Sequence, residues 1–424
     1  MLSLRREKAI NKHLDFTLFS TVSLLTAFGT VMVYSGSVIV ASRQGFEPQH
    51  YFIRQVLWVL IGLFTGYIAY RINYRILPKL APYLLSFSIL LLLVVLVLNW
   101  GSPIKRWIDV GFFDIQPSEI AKLVFLIYLS SWLAAKKESS RFTKENIKNH
   151  IIKDLLPFLI LLSVVSLLIL LEPDLDTTII LGMTSFIVYF IAGNDLLHLL
   201  GSGSIMVLIL SLFGIATQTA SYRLERFVNW KDFWVNSTIQ DPYGAGYQLK
   251  QILVAVSSGG FMGVGFGASR QKFHYLGDTA FSDTIFAIFA EEFGFIGSVI
   301  LISAFIVVLY RGFVIANKAP DKLGYLLAIS ITIWITIQAS LHVASNVAII
   351  PINGNTLPFI SYGGSSTIVN LTAIGLLLNI SRSNKELKQK PHSRVKEIKS
   401  RRRGKKPSRL SQISPKQWIK NIFD

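Results

Sequence analysis

The chain has 424 residues, of which 52% are hydrophobic and 16% are charged, and its mean hydropathy is +0.50. This composition is too apolar for a soluble globular protein of this length and is typical of a polytopic helical membrane protein. The sequence contains no cysteine, which excludes disulfides, thiolate metal sites and cysteine nucleophiles.

Apolar runs of about 20 residues, long enough to cross a hydrocarbon core of about 30 Å, recur along the sequence. They predict an all-α polytopic membrane protein with ten transmembrane helices, near residues 15–40, 51–71, 78–99, 116–135, 155–171, 176–193, 196–218, 284–312, 323–348 and 361–381. Most Lys and Arg residues fall in segments 1–13, 72–79, 136–153 and 311–322 and in the C-terminal tail. Ten spans place all of these segments on one side, and the positive-inside rule makes that side the cytoplasm. Both termini are therefore predicted to be cytoplasmic.

The net charge of +18 is concentrated at the C-terminus, because residues 382–424 contain 15 Lys or Arg and only 3 Asp or Glu. The sequence divides into a basic cytoplasmic N-terminus (1–14), a membrane domain (15–381) and a basic cytoplasmic tail (382–424). A basic segment beside a span is retained in the cytoplasm and attracted to anionic lipid headgroups. We therefore expect the tail to be a topology and lipid signal and expect no nucleic-acid partner.

The longest connection, residues 219–283, lies between the seventh and eighth predicted spans and is predicted to be extracytoplasmic. It is much longer than ordinary connections. Aromatic residues, among them Trp230, Trp234 and Tyr243, are interspersed with charged residues in it. This mixture indicates an ordered segment, and we expect it to cap an external cavity.

Two polar clusters precede this loop on the same side of the membrane. In the first, Arg106 and Trp107 are followed by Glu119 and Lys122, which share a helix face at i,i+3 spacing. They could contact a ligand, or form an interfacial anchor and an internal ion pair. The second cluster, Glu172-Pro-Asp-Leu-Asp176, could bind a cation or cap the next helix, and capping is favoured.

Two further clusters have features that suit an anion. Glycines in Gly263-Val-Gly-Phe-Gly267 leave backbone amides accessible, and Arg270 and Lys272 supply positive charge, which predicts a phosphate-recognising loop. A nucleotide site is not expected, because no βαβ unit is possible here and the loop faces outside. Ser361 or Ser365 begins the last predicted span, where a helix N-terminus favours a pyrophosphate.

Acidic residues surround the start of the eighth predicted span. Asp283 lies where the long loop meets this span, so it could act on a lipid-linked substrate or simply cap the helix. Glu291 and Glu292 lie about 12 Å further along, where acids are usually functional or tightly paired. His342, in the ninth span, is expected to be a packed, hydrogen-bonded histidine.

Several of these motifs, in this order, closely resemble the SEDS family (shape, elongation, division and sporulation), which includes FtsW, RodA and SpoVE. The resemblance covers residues 15–382 and rests on Gln116-Pro-Ser-Glu-Ile-Ala-Lys122, Gly263-Val-Gly-Phe-Gly-Ala-Ser-Arg-Gln-Lys-Phe273, Ala290-Glu-Glu-Phe-Gly-Phe-Ile-Gly297 and Leu357-Pro-Phe-Ile-Ser-Tyr-Gly-Gly-Ser-Ser366. Val31-Met-Val-Tyr-Ser-Gly-Ser37 and Ser269-Arg-Gln-Lys-Phe273 are more similar to the FtsW and SpoVE branch than to RodA.

The resemblance implies a ten-span peptidoglycan glycosyltransferase that polymerises lipid II at the outer face of the bacterial cytoplasmic membrane. It also implies a class B penicillin-binding protein as partner, together with other divisome or elongasome membrane proteins. The family's essential aspartate corresponds to Asp283, the expected general base, and Arg106, Trp107, Glu119 and Lys122 match a second conserved region. Arg270, Lys272, Ser361 and Ser365 are the further expected substrate-binding residues.

The sequence departs from the family pattern at two places near Asp283. Leu276-Gly-Asp278 replaces the usual Leu-Pro-Glu, and Glu172-Pro-Asp-Leu-Asp-Thr177 replaces Gln-Pro-Asp-Leu-Gly-Thr. These changes add acidic residues near the expected site. A divalent cation, Mg²⁺ or Mn²⁺, is a candidate cofactor that would neutralise the leaving group, with Asp278 and Asp283 as candidate ligands.

Two other classes of function fit parts of the same sequence. A lipid II flippase or another transporter would need polar residues through the membrane centre, whereas most polar clusters here lie on the outer side. A non-catalytic divisome scaffold would tolerate loss of the Asp283 carboxylate. The function that the resemblance implies is an enzyme that works by general-base catalysis with inversion and releases undecaprenyl pyrophosphate.

Overall fold

Long apolar helices make up most of this computed structural model, which describes residues 14–99, 101, 106–109, 111, 114–136, 155–193, 220–239 and 241–403. Side chains are described up to residue 383, apart from those of 220–223, 274 and 278. The helices are α1 (Phe16–Arg43), α2 (His50–Arg71), α3 (Leu77–Leu98), α4 (Pro117–Ala135), α5 (Leu156–Leu171), α6 (Leu175–Ile191), α7 (Ala220–Asn236), α8 (Tyr247–Ser258), α9 (Gln271–His274), α10 (Ile285–Asn317), α11 (Lys322–Asn346) and α12 (Gly364–Arg403). Two 3-10 turns (Tyr74–Ile76 and Gly277–Thr279) and a short antiparallel hairpin of β1 (Ile108–Asp109) and β2 (Asp114–Ile115) complete the described elements.

Within the described residues, nine of the ten predicted spans coincide with helices: α1 to α6 and α10 to α12. The seventh predicted span, 196–218, lies outside these residues. Seven of the nine helices are long and apolar enough to cross a membrane, whereas α5 and α6 are apolar but have only 16 and 17 residues. The last helix passes its predicted end at residue 381 and continues to Arg403.

Helix α11 lies at the centre of the bundle, where it packs against α4, α6, α10 and α12. Most of its residues are buried, including Trp334, Gln338 and His342. A helix surrounded by other helices can carry polar groups at membrane depth if they are hydrogen-bonded. The polar residues of α11 therefore form part of the interior and not of the lipid-facing surface.

Small residues allow α2 and α12 to approach closely. A Cβ atom on Gly375 would lie 2.1 Å from the Gly66 carbonyl oxygen, and one on Gly66 would lie 2.7 Å from the Leu371 carbonyl oxygen. Small residues at such contacts let the backbones of neighbouring membrane helices meet. This packing fixes the start of α12, which contributes to the cavity described below.

Ion pairs join helices at the end of the bundle that lies away from this cavity. Asp15 caps α1 by accepting a hydrogen bond from the Leu18 amide, and its carboxylate also pairs with Arg311 of α10. Asp321 caps α11 and pairs with Arg75 at 2.8 Å. These contacts tie the ends of α1 and α11 to their neighbours.

Helix α10 consists of two segments that meet at Gly294, where the backbone is non-helical (φ 65°, ψ −163°). All but one of the residues from Ile285 to Phe293 are buried, whereas many residues beyond the kink are exposed, among them Phe295 and Ile300. The segment 295–317 is about 34 Å long, enough to cross a hydrocarbon core. The kink therefore separates a segment packed inside the protein from a segment that faces lipid.

Candidate functional site

A cavity of about 510 Å³ lies at the end of the bundle where α4, α6, α10 and α12 begin. Its walls come from segments that are far apart in the sequence. Among the predicted site residues, Arg106, Trp107, Glu119, Asp283 and Ser365 line it, together with Asp174 and Asp176. The fold thus brings together most of the polar clusters recognised in the sequence.

The Asp283 carboxylate faces this cavity and does not cap α10. The N-cap residue of α10 is Thr284, and the Ala287 amide donates to the side-chain carbonyl of Asn346 at 3.2 Å. The Asn346 amide also donates to the Asp283 backbone carbonyl at 3.0 Å. Because Asn346 serves the helix start, the carboxylate of Asp283 remains available for chemistry.

Ser361 holds the chain segment that carries Asp283. Its buried hydroxyl donates to the Ser282 carbonyl and accepts from the Leu357 amide, each at 2.8 Å. Ser361 itself does not line the cavity. The structure therefore gives this predicted substrate-binding residue a place behind the site, where it fixes the backbone next to Asp283.

Asp176 is an acidic neighbour of Asp283 in the cavity wall. Its carboxylate accepts a hydrogen bond of 2.8 Å from the Gly354 amide. A Cβ atom on Gly354 would lie 3.5 Å from a carboxylate oxygen of Asp176 and 3.5 Å from one of Asp283. Both carboxylates therefore lie close to Gly354, on the side to which a Cβ atom would point.

The pKa of Asp283 is raised to about 6, first by burial and then by the negative charge of Asp176. Arg226, the Ser282 hydroxyl and Arg106 oppose this shift. A carboxyl group with a pKa near neutrality is suited to general-base catalysis, because it is ionised at working pH and still accepts a proton readily. The cavity thus gives Asp283 the electrostatic environment of a catalytic base.

Asp174 caps α6, which is the role that the sequence favoured for this cluster over cation binding. It accepts hydrogen bonds from the Thr177 amide at 3.1 Å and the Thr177 hydroxyl at 2.8 Å. Ser118 and Gln116, at the start of α4, also donate to it at 3.1 and 3.0 Å. The carboxylate is therefore used in joining α4 to α6.

Arg106 connects the segment before β1 to the hairpin between α5 and α6. Its guanidinium donates to the backbone carbonyls of Glu172 and Pro173. Trp107 lies beside it at the cavity wall with 43% of its surface exposed. Arg54, from α2, lines the same cavity and adds a second guanidinium, which the sequence motifs did not indicate.

Glu119 and Lys122 form a buried ion pair at 2.8 Å. Lys122 also approaches Gln338 and the ring of Trp334 in α11, and it does not line the cavity. Glu119 does line the cavity, and its second carboxylate oxygen has no hydrogen-bond partner among the described residues. Of this predicted pair, Glu119 can face a substrate, whereas Lys122 holds the Glu119 carboxylate in position.

Ser365, the second residue of α12, lies beside the cavity and links α12 to the start of α4. Its hydroxyl accepts a 2.9 Å hydrogen bond from the Gln116 amide and lies 3.4 Å from the Asp114 carbonyl. The expected helix N-terminus is thus present at the cavity wall.

The structure does not bring Arg270 and Lys272 to the cavity. Lys272 is buried and pairs with Glu292 at 2.6 Å, while its ammonium group also donates to Ser35. Glu291 accepts hydrogen bonds from Ser269 and from the Arg270 amide. Glu292 is therefore tightly paired with Lys272, one of the two roles expected for these acids, and Glu291 is hydrogen-bonded.

His342 is hydrogen-bonded inside the bundle, as predicted, with its Nδ1 atom 2.6 Å from the Asn355 carbonyl oxygen. The side chain of Asp278, a candidate metal ligand, lies outside the described side chains. Among the described residues, no group of three or more His, Cys, Asp or Glu could hold a metal ion.

Arg226 of α7 is a further charged residue near the site that sequence reasoning missed. It donates to the Ile352 carbonyl at 3.3 Å and to the side chain of Gln248 in α8 at 2.9 Å. Arg226 therefore links α7 and α8, which belong to the long loop expected to cap the cavity, to the loop that carries Gly354. No local motif marks Arg226, because its significance depends on a contact between segments 126 residues apart.

Comparison with known families identifies the chain. A family model described as "Cell cycle protein" (FtsW, RodA and SpoVE) matches residues 15–386. The chain belongs to this family. Together with its apolar helices, this makes it a multi-pass protein of the bacterial cytoplasmic membrane.

Curated members of the FtsW/RodA/SpoVE family are similar over nearly their whole length. The probable peptidoglycan glycosyltransferase FtsW of Nitrosomonas europaea is 38% identical over 384 residues, which cover 89% of this chain and 95% of the relative. Stage V sporulation protein E of Bacillus subtilis is 36% identical over 372 residues, 87% of this chain and 97% of the relative.

Solved structures share the fold. A chain from a study of the structural coordination of polymerization and crosslinking by a peptidoglycan synthase complex has a TM-score of 0.68 and 26% identity, covering 88% of this chain and 98% of that one. RodA of Thermus thermophilus has a TM-score of 0.61 and 24% identity, covering 88% and 97%, and its likeness concerns the fold.

Proposed function

We propose that this chain is a peptidoglycan glycosyltransferase that polymerises lipid II into glycan strands. The observation that carries the proposal is the Asp283 carboxylate, which faces a cavity of about 510 Å³ and has a pKa raised to about 6. The relatives named peptidoglycan glycosyltransferase FtsW support the same activity.

In the proposed reaction, Asp283 removes the proton from the 4-hydroxyl group of the GlcNAc residue of an acceptor lipid II. The oxygen attacks the anomeric carbon of the MurNAc residue of the donor from the face opposite the leaving group. The new glycosidic bond forms as the bond from the anomeric carbon to the phosphate oxygen breaks, so the configuration inverts. Undecaprenyl pyrophosphate leaves with the bonding electrons, and no nucleotide is required.

The leaving pyrophosphate needs compensation of its negative charge. Arg54 and Arg106 both line the cavity and can supply it through charge-assisted hydrogen bonds. The start of α12, at Ser365, adds amide dipoles that favour an anion. Arg270 and Lys272, the other cations expected from the sequence, lie away from the cavity and have no part in this proposal.

A divalent cation is compatible with the carboxylates of the cavity. Mg²⁺ is commonly held by one or two carboxylates together with substrate phosphates, and Asp176 and Asp283 both line the cavity close to Gly354. These two residues would hold the ion, and its chemistry would be the neutralisation of charge on the phosphates.

We also propose ten spans, with both termini in the cytoplasm and residues 219–283 outside. Helix α6 begins at Leu175, between the cavity-lining residues Asp174 and Asp176, and extends about 25 Å away from the cavity. Helix α7 returns Arg226 to the neighbourhood of the cavity through its contact with Ile352. These two observations support the proposal of a seventh span over residues 196–218.

The proposed partner is a class B penicillin-binding protein, a transpeptidase that would cross-link the glycan product. Support comes from the likeness to a chain of a peptidoglycan synthase complex. The proposed division of the chain remains a basic N-terminus (1–14), the membrane domain (15–381) and a basic tail (382–424).

The test is polymerisation of lipid II in liposomes by the chain co-purified with its penicillin-binding partner, in Mg²⁺ or Mn²⁺. We expect Asp283→Asn to lower the rate by about 10²–10⁴-fold, the usual contribution of a positioned base. Glu47→Gln, in an exposed loop at the same end of the bundle, is the matched control. Activity that survives in Asp283→Asn would assign the base elsewhere, with Asp278 tested next. A wild-type complex that forms no polymer would favour transport or scaffolding.

A further inference from the structure

The loop between α8 and α9, residues 259–267, is joined to the kink of α10 by backbone hydrogen bonds. At Gly294 the helix loses the bonds that the Phe295 and Ile296 amides would donate to the carbonyls of Glu291 and Glu292. The Val264 and Gly265 amides donate to these two carbonyls instead, each at 3.0 Å. This exchange satisfies the carbonyls that the kink leaves free.

Two further hydrogen bonds run in the opposite direction, from amides of α10 to carbonyls of the loop. The Phe295 and Ile296 amides donate to the carbonyls of Gly260 and Phe261, at 2.9 and 3.2 Å. Four backbone bonds therefore replace two. These bonds fix the loop at the level of the kink.

The sequence predicted that the glycines of this loop leave their amides accessible to a phosphate. The structure instead places these glycines in close contact with the backbone of α10. A Cβ atom on Gly263 would lie 2.2 Å from the Glu292 carbonyl oxygen, and one on Gly259 would lie 2.0 Å from the Ala290 carbonyl oxygen. The Gly263 amide donates to the Gly259 carbonyl at 2.8 Å. The amides of residues 263–265 are thus engaged within the protein, and the loop needs another explanation.

The side chains of this loop are apolar and point away from the protein. Phe261 is 74% exposed and Met262 is 78% exposed, and Val264 and Phe266 are also exposed. The segment Gly259-Gly-Phe-Met-Gly-Val-Gly-Phe-Gly267 contains no charged or polar side chain. An exposed apolar cluster of this kind marks a surface that contacts another apolar phase.

The exposed side chains of the loop adjoin the exposed apolar side of α10 beyond the kink. The rings of Phe261 and Phe295 lie 5.7 Å apart, and Phe295, Ile296 and Ile300 are exposed on the helix beyond the kink. This part of α10 is the membrane-spanning segment. The apolar tip therefore lies at the same level as the outer end of a span, next to the first lipid-exposed turn.

We propose that the tip of loop 259–267 inserts into the outer leaflet and contacts lipid acyl chains, anchoring the cap over the cavity. We assign lipid as the contact because the tip adjoins the side of α10 that faces lipid. Arg270, exposed just after the loop, can reach the headgroup region while the tip remains in the apolar layer. Insertion of the tip requires that residues 219–283 lie on the outer side of the membrane, as proposed above, and is independent of the glycosyltransferase activity.

Because the chain contains no cysteine, single spin labels can report on the location of this tip without background. The variants are Met262→Cys at the tip, Tyr243→Cys on the cap and Ile300→Cys on the lipid-facing side of α10; both control residues are exposed. The full chain is placed in nanodiscs of phosphatidylcholine and phosphatidylglycerol. Electron paramagnetic resonance then compares the collision of each label with oxygen, which concentrates in lipid, and with a water-soluble nickel chelate.

We expect the label at 262 to favour oxygen over the nickel chelate, as the label at 300 does, whereas the label at 243 favours the chelate. A label at 262 that matches the one at 243 would place the tip in water and overturn the proposal. A label shielded from both reagents would show that protein covers the tip, a second copy for example, and would also overturn it. Phe266→Cys provides an independent position if Met262→Cys does not fold.

Discussion

At the scale of single residues, the negative charge of Asp176 raises the pKa of Asp283. The sequence indicated Asp283 through its place at the start of a span. The sequence offered Asp176 as a cation ligand or a helix cap. It did not indicate that Asp176 and Asp283 would both lie close to Gly354. Such proximity arises from the packing of α6, α10 and the loop before α12, and no local pattern encodes it.

The pH dependence of activity follows from the raised pKa of Asp283. A protonated base cannot accept the acceptor's proton, so we expect the rate of lipid II polymerisation to fall as pH decreases through about 6. Asp176→Asn removes a negative neighbour, which favours the ionised form of Asp283 and lowers its pKa. We therefore expect the acidic limb of the pH–rate profile to move to lower pH in this variant.

Initial rates measured across this pH range, for wild type, Asp176→Asn and Glu47→Gln, would check the prediction. Asparagine can still accept the Gly354 amide, so the loop geometry is retained. An acidic limb that does not move in Asp176→Asn would mean that Asp176 does not influence the titrating group. A limb that moves equally in Glu47→Gln would point to a general effect of surface charge.

At the scale of elements, the buried pair of Lys272 and Glu292 joins α9 to α10. Removing one partner of a buried ion pair leaves an uncompensated charge, so Lys272→Met should lower the free energy of unfolding by about 3–5 kcal/mol. The double variant Lys272→Met with Glu292→Gln removes both charges and should recover most of that loss. Unfolding in mixed detergent micelles would measure both changes.

A residue whose role is substrate contact would give a different result. Lys272→Met would then reduce polymerisation with little effect on unfolding, and the second substitution would not restore activity. Arg270→Met, beside it but with an exposed side chain, is the matched control and should leave the stability nearly unchanged. The comparison separates the structural role of Lys272 from the phosphate-binding role that the sequence suggested.

The helices were the most predictable elements, because each needs a run of apolar residues that is visible in the sequence. The glycine-rich loop was the least predictable. Glycine permits close approach to an anion and close approach to another backbone equally well. The kink at Gly294 provides free backbone groups that the loop contacts, so the loop approaches another backbone and not an anion. The sequence does not show this kink, because a glycine within an apolar run does not reveal its own φ angle.

At the scale of the whole molecule, ten spans require that residues 192 and 243 lie on opposite sides of the membrane. We expect a membrane-impermeant maleimide to label Tyr243→Cys in intact cells and to label Ala192→Cys only after the membrane is permeabilised. The chain has no native cysteine to interfere. Both positions are at least partly exposed in the structure.

The labelling pattern also tests the orientation. Labelling of both positions from outside would exclude a span between them, and labelling of Ala192→Cys alone would reverse the orientation. A Glu47→Cys variant, between α1 and α2, should behave like Tyr243→Cys because its loop is predicted to lie outside. Agreement of positions 47 and 243 would show that the cap is on the same side as this loop.

The exchange of hydrogen bonds at the kink also has a consequence for the timescale of cap motion. The amide protons of Val264, Gly265, Phe295 and Ile296 are held by four bonds between the same two segments. They can exchange with solvent deuterium only when these segments separate, so their protection should be lost together as one cooperative unit. The rate of that joint loss would report how often the cap lifts from the membrane helix beneath it.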